Sequence, residues 1–147
     1  MKILIINGPN LNLLGSREPS IYGTMELHDL VNSIKKYGDR LGIQVQHIQS
    51  NSEGCLIDAI HNSVGLYDGI VLNAGAYSHY SYALRDAIAG INVPVIEVHI
   101  TNIYNREDFR NVSVISPVCI GQISGLGIDG YKLALQYFFD HKDNEHC

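Results

Sequence analysis

The chain has 147 residues, 46% of them hydrophobic and 17% charged, enough for one ordinary globular domain with its own core. A formal net charge of −5, with no cluster of lysines and arginines interleaved with aromatics, excludes nucleic acid as principal partner. No run reaches the roughly 18 apolar residues of a membrane span, and residues 3–6 are too short a run for a secretion signal, so a soluble, cytoplasmic protein is expected.

In chain order, apolar runs at residues 3–6, 43–48, 69–72, 93–98 and 112–118 have strand length and β-branched enrichment, and predict five strands. Between them the spacing predicts helices. Leu27, Leu30, Val31, Ile34 and Leu41 share one face, as do Leu56, Ile57, Ile60 and Val64 behind a Ser52 N-cap. A short helix fits residues 81–89, closed by Gly90, and a last one runs from Asp129 to His141 with Leu133, Leu135, Tyr137 and Phe138. Strand and helix alternate, and three of the strands are almost continuously apolar, as in a parallel sheet covered on both faces. The expected fold is therefore an α/β, doubly wound, three-layer sandwich over a single domain of residues 1–147, with a short polar tail from about 141. Cys55, Cys119 and Cys147 form no Cys-x-x-Cys pair and read as reduced thiols.

In such a sheet, ligands sit beyond the carboxyl ends of the strands. The seventeen residues 7–23, NGPNLNLLGSREPSIYG, follow the first strand without helix or strand periodicity, and loops of that length usually carry function. They hold Asn10, Arg17, Glu18 and Tyr22. A phenol is no base at neutral pH without help, and a neighbouring guanidinium favours phenolate; the alternative is that Arg17 meets solvent or Glu18 while Tyr22 packs. Asn73 ends the third strand. On the fourth, Glu97 and His99 stand two residues apart on one face of the pleat, which suits a carboxylate orienting an acid–base histidine, or else a buried pair that satisfies itself. The loop after the third strand offers His79, Arg85 and Asp86, with Tyr77, Tyr80 and Tyr82 read as packing or subunit contact.

Two patterns are refused. Residues 125–130 match G-x-G-x-x-G, but too little chain follows for the strand and ribose-binding acid of a dinucleotide site, so those glycines serve turns. The histidines show no metal-ligand spacing and no acidic cluster follows the first strand, so no metal is expected.

Taken together, NGPNLNLLGSREPSIYG, NAGAYSHYSYALRDA, PVIEVHITN with REDFR, and GQISGLGIDGY resemble type II 3-dehydroquinate dehydratase, in the family's order and spacing over nearly the whole chain. The resemblance implies a flavodoxin-like domain that removes water from 3-dehydroquinate to give 3-dehydroshikimate, by anti elimination through an enolate or enol and without a cofactor. It implies Tyr22 as the base, Arg17 as the cation holding it as phenolate, His99 as the acid oriented by Glu97, and Asn10 beside a water near the enolate. Asn73 and the backbone of Ile100 and Thr101 match the positions gripping the substrate carboxylate; His79 and Arg110 match those reaching its hydroxyls. Asp86 matches a residue supplied by a neighbouring subunit, implying trimers that assemble into a dodecamer. Tyr80, Thr101 and Asn111 depart from the family's usual small polar residue, serine and histidine. An imine route needs a site lysine, and none of Lys2, Lys35, Lys36, Lys132 and Lys142 is suitably placed. The rival reading, a flavodoxin-like nucleotide-binding or regulatory domain without catalysis, lacks the acidic residues or phosphate cradle it would need after the first strand. The loop itself reads as a mobile flap carrying Tyr22 and Arg17 onto substrate.

Overall fold

The structure is a computed structural model and describes residues 1–144; Cys147 and the end of the predicted tail lie outside the described residues. Five parallel strands form one sheet in the order β2-β1-β3-β4-β5: β1 (Lys2–Asn7), β2 (Gln44–Gln49), β3 (Gly69–Asn73), β4 (Val95–His99) and β5 (Gly121–Ser124). The helices are α1 (Pro19–Tyr22), α2 (Leu27–Leu41), α3 (Glu53–Asn62), α4 (Tyr82–Ala89) and α5 (Asp129–Asp140).

The pleat sorts the strand residues between two cores. Ile3, Ile5, Val71 and Val98 face α2 and α5, packing on Leu30, Ile34, Leu135 and Phe138. Leu4, Ile6, Ile70 and Leu72 face α3 and α4, packing on Leu56, Ile60, Leu84 and Ile88. Ile3, Ile5 and Ile6 are at most 1% exposed, and burying each contributes about 2 kcal/mol. Ser52 caps α3 as its position suggests, its Oγ accepting from the Cys55 amide; Ser81, expected inside the short helix, is instead its N-cap, with Oγ accepting from the Leu84 amide. Val64 instead lies beyond the end of α3 and is exposed, and Leu133 and Tyr137 point away from the core that holds Leu135 and Phe138.

The fifth predicted strand is misplaced. Residues 112–118 do not pair with β4; they hold a 3-10 turn at Ser116–Val118, where Pro117 has no amide to donate to a ladder. Their apolar members Val114, Ile115 and Val118 pack on the second core, and their serines turn inward. The edge strand is the following Gly121–Ser124, short and half polar, with His99 in register with Ser124.

The strand order reverses between β1 and β3, where Asn7 and Asn73 stand side by side at the carboxyl ends. A crevice opens there by topology alone. No helix among the described residues is long and apolar enough to cross a membrane.

Candidate active site

Three chain segments converge on the crevice. The loop after β1 crosses the loop after β3 so closely that a Cβ on Gly8 would lie 2.7 Å from the Ala74 carbonyl carbon, and Gly75 takes φ +59° with Pro9 O 3.2 Å from its own missing Cβ. Only glycine permits that approach. Leu11 and Leu14 then pin the loop by burying their side chains, whereas residues 18–21 and 23–26 are exposed. Asn10 and Glu18 both have left-handed backbones, φ 69° and 44°, and are the non-glycine residues with positive φ among those described. Such conformations persist where the surroundings over-determine them, and they concentrate at functional loops. A single turn of helix, α1, with Pro19 at its first position, ends on Tyr22.

Pro9, Asn10, Arg17, Tyr22, Asn73, His99, Ile100, Thr101, Arg106 and Arg110 line the cleft. Three guanidiniums therefore face one cavity in a chain whose net charge is −5. Their field suits an anionic ligand. None of the lining residues is a lysine.

Tyr22 has a partner that sequence reasoning passed over. Arg106 Nη1 donates to the Tyr22 hydroxyl at 2.6 Å, and the guanidinium carbon lies 5.1 Å from the ring centroid. Arg106 is 8% exposed at its side chain and also approaches Glu18 at 3.5 Å. Arg17, the cation implied for that task, stands 5.9 Å from the Tyr22 ring centroid, is 38% exposed at its side chain, and has Glu18 at 3.9 Å. In this arrangement the direct donor to the phenol is thus Arg106, with Arg17 further out. Arg106 is the first arginine of the REDFR segment, four residues before Arg110 in the loop after β4; that pairing was the available signal.

His99 ends β4 at 6% exposure, and its Nε2–H donates to Glu97 Oε1 at 2.7 Å. Nδ1 is the ring nitrogen left for a ligand. Glu97 is completely buried. Burial alone would push its carboxyl up, but the hydrogen bond and charge of His99, with the hydroxyls of Ser116 and Ser113, outweigh that and hold it below its ordinary value. Ser113 Oγ donates at 2.7 Å and Gln122 Nε2 at 3.3 Å, while Ser116 Oγ donates both to the carboxylate and accepts from Gln122. Four donors around one carboxylate make Glu97 a fixed anion behind His99.

His79 is not at the cleft wall. It stacks beside His99 with centroids 5.9 Å apart, its Nδ1–H donates to Val112 O at 2.8 Å, and its Nε2 is buried without a partner among the described residues. Burial lowers its pKa ahead of the other influences, among which the Val112 hydrogen bond opposes it and His99 and Arg110 reinforce it. The neutral ring therefore keeps an acceptor in reserve.

The amide N–H groups of Ile100 and Thr101 meet no protein acceptor among the described residues, whereas the Ile100 carbonyl is taken by the Gly127 amide. Two free N–H groups at a strand end suit a carboxylate. Gly125 and Gly127, at φ +89° and +59°, serve the turns that bring the 125–127 segment onto the end of β4, with Gly125 N donating to His99 O. Asp86 lies on α4 and is not among the residues lining this cleft. Cys119 is inert by its surroundings, since burial, then the charge of Glu97, pushes its thiol up to about 12.

With this geometry the chain is similar to proteins of one kind. The family model for dehydroquinase class II matches residues 1–139. The 3-dehydroquinate dehydratase of Bacillus licheniformis is 58% identical over 138 residues, 94% of this chain and 95% of that one. That of Bacillus subtilis is 54% identical over 142 residues, 97% and 96% of the two chains. Among solved structures, the type II dehydroquinase from Butyrivibrio crossotus superposes with a TM-score of 0.91 at 52% identity, covering 93% of this chain and 96% of that one. The type II dehydroquinase from Propionibacterium acnes gives 0.92 at 45% identity, covering 95% and 96%.

Proposed function

The chain belongs to the class II dehydroquinase family and is a 3-dehydroquinate dehydratase, a hydro-lyase, and from that premise we propose how its residues divide the work. Tyr22 is the base. As phenolate, paired by the Arg106 guanidinium, it takes the proton from the carbon next to the ketone, and the C–H electrons pass into an enolate. Asn10, with a water, stabilises the charge that appears on the enolate oxygen. The enolate then re-forms the ketone and expels the hydroxyl two carbons away, which leaves as water with a proton from His99. Glu97 supports the histidine as it gains and loses that proton. Solvent resets both groups, and no electron sink or cofactor is required.

Substrate binding uses the remaining groups. The carboxylate sits on the free amides of Ile100 and Thr101 and on Asn73, while Arg110, at the cleft wall, meets the hydroxyls and His79 packs beside His99. Arg17 joins Tyr22 as the exposed loop closes. The observation that carries this reading is the pairing of two prepared groups on different supports: the Arg106–Tyr22 hydrogen bond reaching the loop and the Glu97–His99 hydrogen bond on β4.

The whole chain acts as one catalytic domain in trimers that build a dodecamer. Tyr80, Tyr82, Tyr104, Phe109 and Val112 leave apolar surface exposed for such contacts, and Asp86 lies outside its own cleft, where it could serve a neighbour. A reducing compartment such as the cytoplasm fits the unpaired Cys55 and Cys119. A nucleotide-binding or receiver reading is not favoured, since β1 runs into Asn7-Gly8-Pro9 with neither acidic pair nor phosphate cradle. Adding 3-dehydroquinate should produce the enone absorbance of 3-dehydroshikimate, and borohydride should leave the enzyme active. Inactivation by borohydride in the presence of substrate would point to imine chemistry and overturn this route.

A further inference from the structure

A line of buried polar side chains runs back from Asn73 behind the cleft, and its members beyond Asn73 play no part in the mechanism above. Asn73 Nδ2 donates to the Tyr131 hydroxyl at 2.9 Å, Tyr131 donates to Asn7 Oδ1 at 2.6 Å, and Asn7 Nδ2 lies 3.0 Å from His47 Nε2. Tyr131, near the start of α5, and Asn7 are fully buried; His47 is half-buried on β2. Water cannot substitute for these bonds in the interior, so leaving any of them unmade is costly.

The line also has a direction, and one end sets it. The Gly75 amide, a backbone donor that cannot reverse, gives its hydrogen to Asn73 Oδ1 at 3.2 Å. Asn73 must therefore turn Nδ2 towards Tyr131. The phenol, already accepting there, gives its own hydrogen to Asn7 Oδ1, and the Asn7 amide nitrogen is left to donate to His47 Nε2. At that far end the imidazole is neutral, its pKa held at about 4 by burial and then by the charge of Lys35, so an acceptor is available. Every member is satisfied in one orientation only. The second N–H of Asn73 is then the polar edge it offers to the cleft that it lines.

We propose that Tyr131 and Asn7 are positioning residues: they lock the Asn73 amide so that it shows an N–H, not its carbonyl oxygen, to the substrate carboxylate. The proposal rests on the reading that Asn73 meets that carboxylate. Without the 2.9 Å bond to Tyr131, only the longer 3.2 Å bond from the Gly75 amide would hold Asn73, and the amide could turn its oxygen to the anion, which repels it.

Steady-state kinetics with 3-dehydroquinate test this on Tyr131→Phe, Asn73→Ala and the double variant, with melting curves beside them. Tyr131→Phe should raise KM about tenfold with kcat within about twofold, because an interaction made equally in ground and transition states is lost. Asn73→Ala should raise KM at least as far, and the double variant no further than Asn73→Ala. A wild-type KM for Tyr131→Phe beside a raised KM for Asn73→Ala would overturn the positioning role alone. A wild-type KM for Asn73→Ala would overturn the carboxylate reading and the proposal with it. Additive effects, or a loss confined to kcat, would also overturn it. Should Tyr131→Phe fail to fold, His47→Ala at the half-exposed end should raise KM about threefold, and an unchanged KM there would count against the line acting on Asn73.

Discussion

Replacing Arg106 with alanine removes the one group among the described residues that donates to the Tyr22 hydroxyl, a hydrogen bond of 2.6 Å from a side chain only 8% exposed. A hydrogen bond to a charged group contributes about 1.5–3 kcal/mol. At about 1.4 kcal/mol per factor of ten, that is a loss of roughly ten- to a hundredfold in turnover if the bond matters most when Tyr22 is anionic. Burial places the effect towards the upper end, since the guanidinium is little screened by solvent. Enone absorbance under saturating 3-dehydroquinate reads kcat directly, and a substrate series gives KM. On the proposed role of Tyr22 as base, the loss belongs chiefly in kcat. Arg106→Lys keeps the charge without the planar fork, and should fall between alanine and wild type. A kcat for Arg106→Ala within about twofold of wild type, with the protein folded, would refute the assignment.

Glu97→Gln exchanges a carboxylate for an amide among four donors, from His99, Ser113, Ser116 and Gln122. Turnover should fall roughly a hundredfold or more as support for the histidine is lost, and melting should drop, both checked on one preparation. Because the Glu97 carboxyl is held below its ordinary 4.5, wild type should keep this stabilisation above that pH and lose it as pH falls through the lowered value; urea titrations of Glu97→Gln should lack that step. His47 has the opposite charge type and its pKa is lowered from 6.5 to about 4, so between those values the unfolded chain binds more protons and wild-type stability should fall with acidification. His47→Gln should flatten the urea-midpoint curve across that window, and an unchanged slope would show the imidazole to be freely hydrated.

The first four strands and the four long helices were legible because their apolar residues repeat with the period of the element they form, and Ser52 sits where a cap is needed. The edge strand was not, since Gly121 and Gln122 carry no apolar signal, while Val114, Ile115 and Val118 do so for packing outside the sheet. Glu97 with His99 could be read because two residues on one face of a strand must neighbour each other. Their supports on the 113–122 segment could not, since a serine in sequence does not announce a buried carboxylate. Arg106 was hidden for a similar reason. Eighty-four positions separate it from Tyr22, and only the return of the loop after β4 across the crevice joins them. The same holds for Tyr131, which reads as one more apolar residue of α5 until the ends of β1 and β3 are placed against it.

The central claim is that a base on the loop and an acid on β4 carry out the elimination together. It is tested most directly by kcat for Tyr22→Phe, His99→Ala and the double variant, with circular dichroism confirming the fold. Each single change should cost roughly a hundredfold or more, and the double should be far less than the product of the two, because groups that act as a unit are not additive. Turnover near wild type in both single variants would contradict the account.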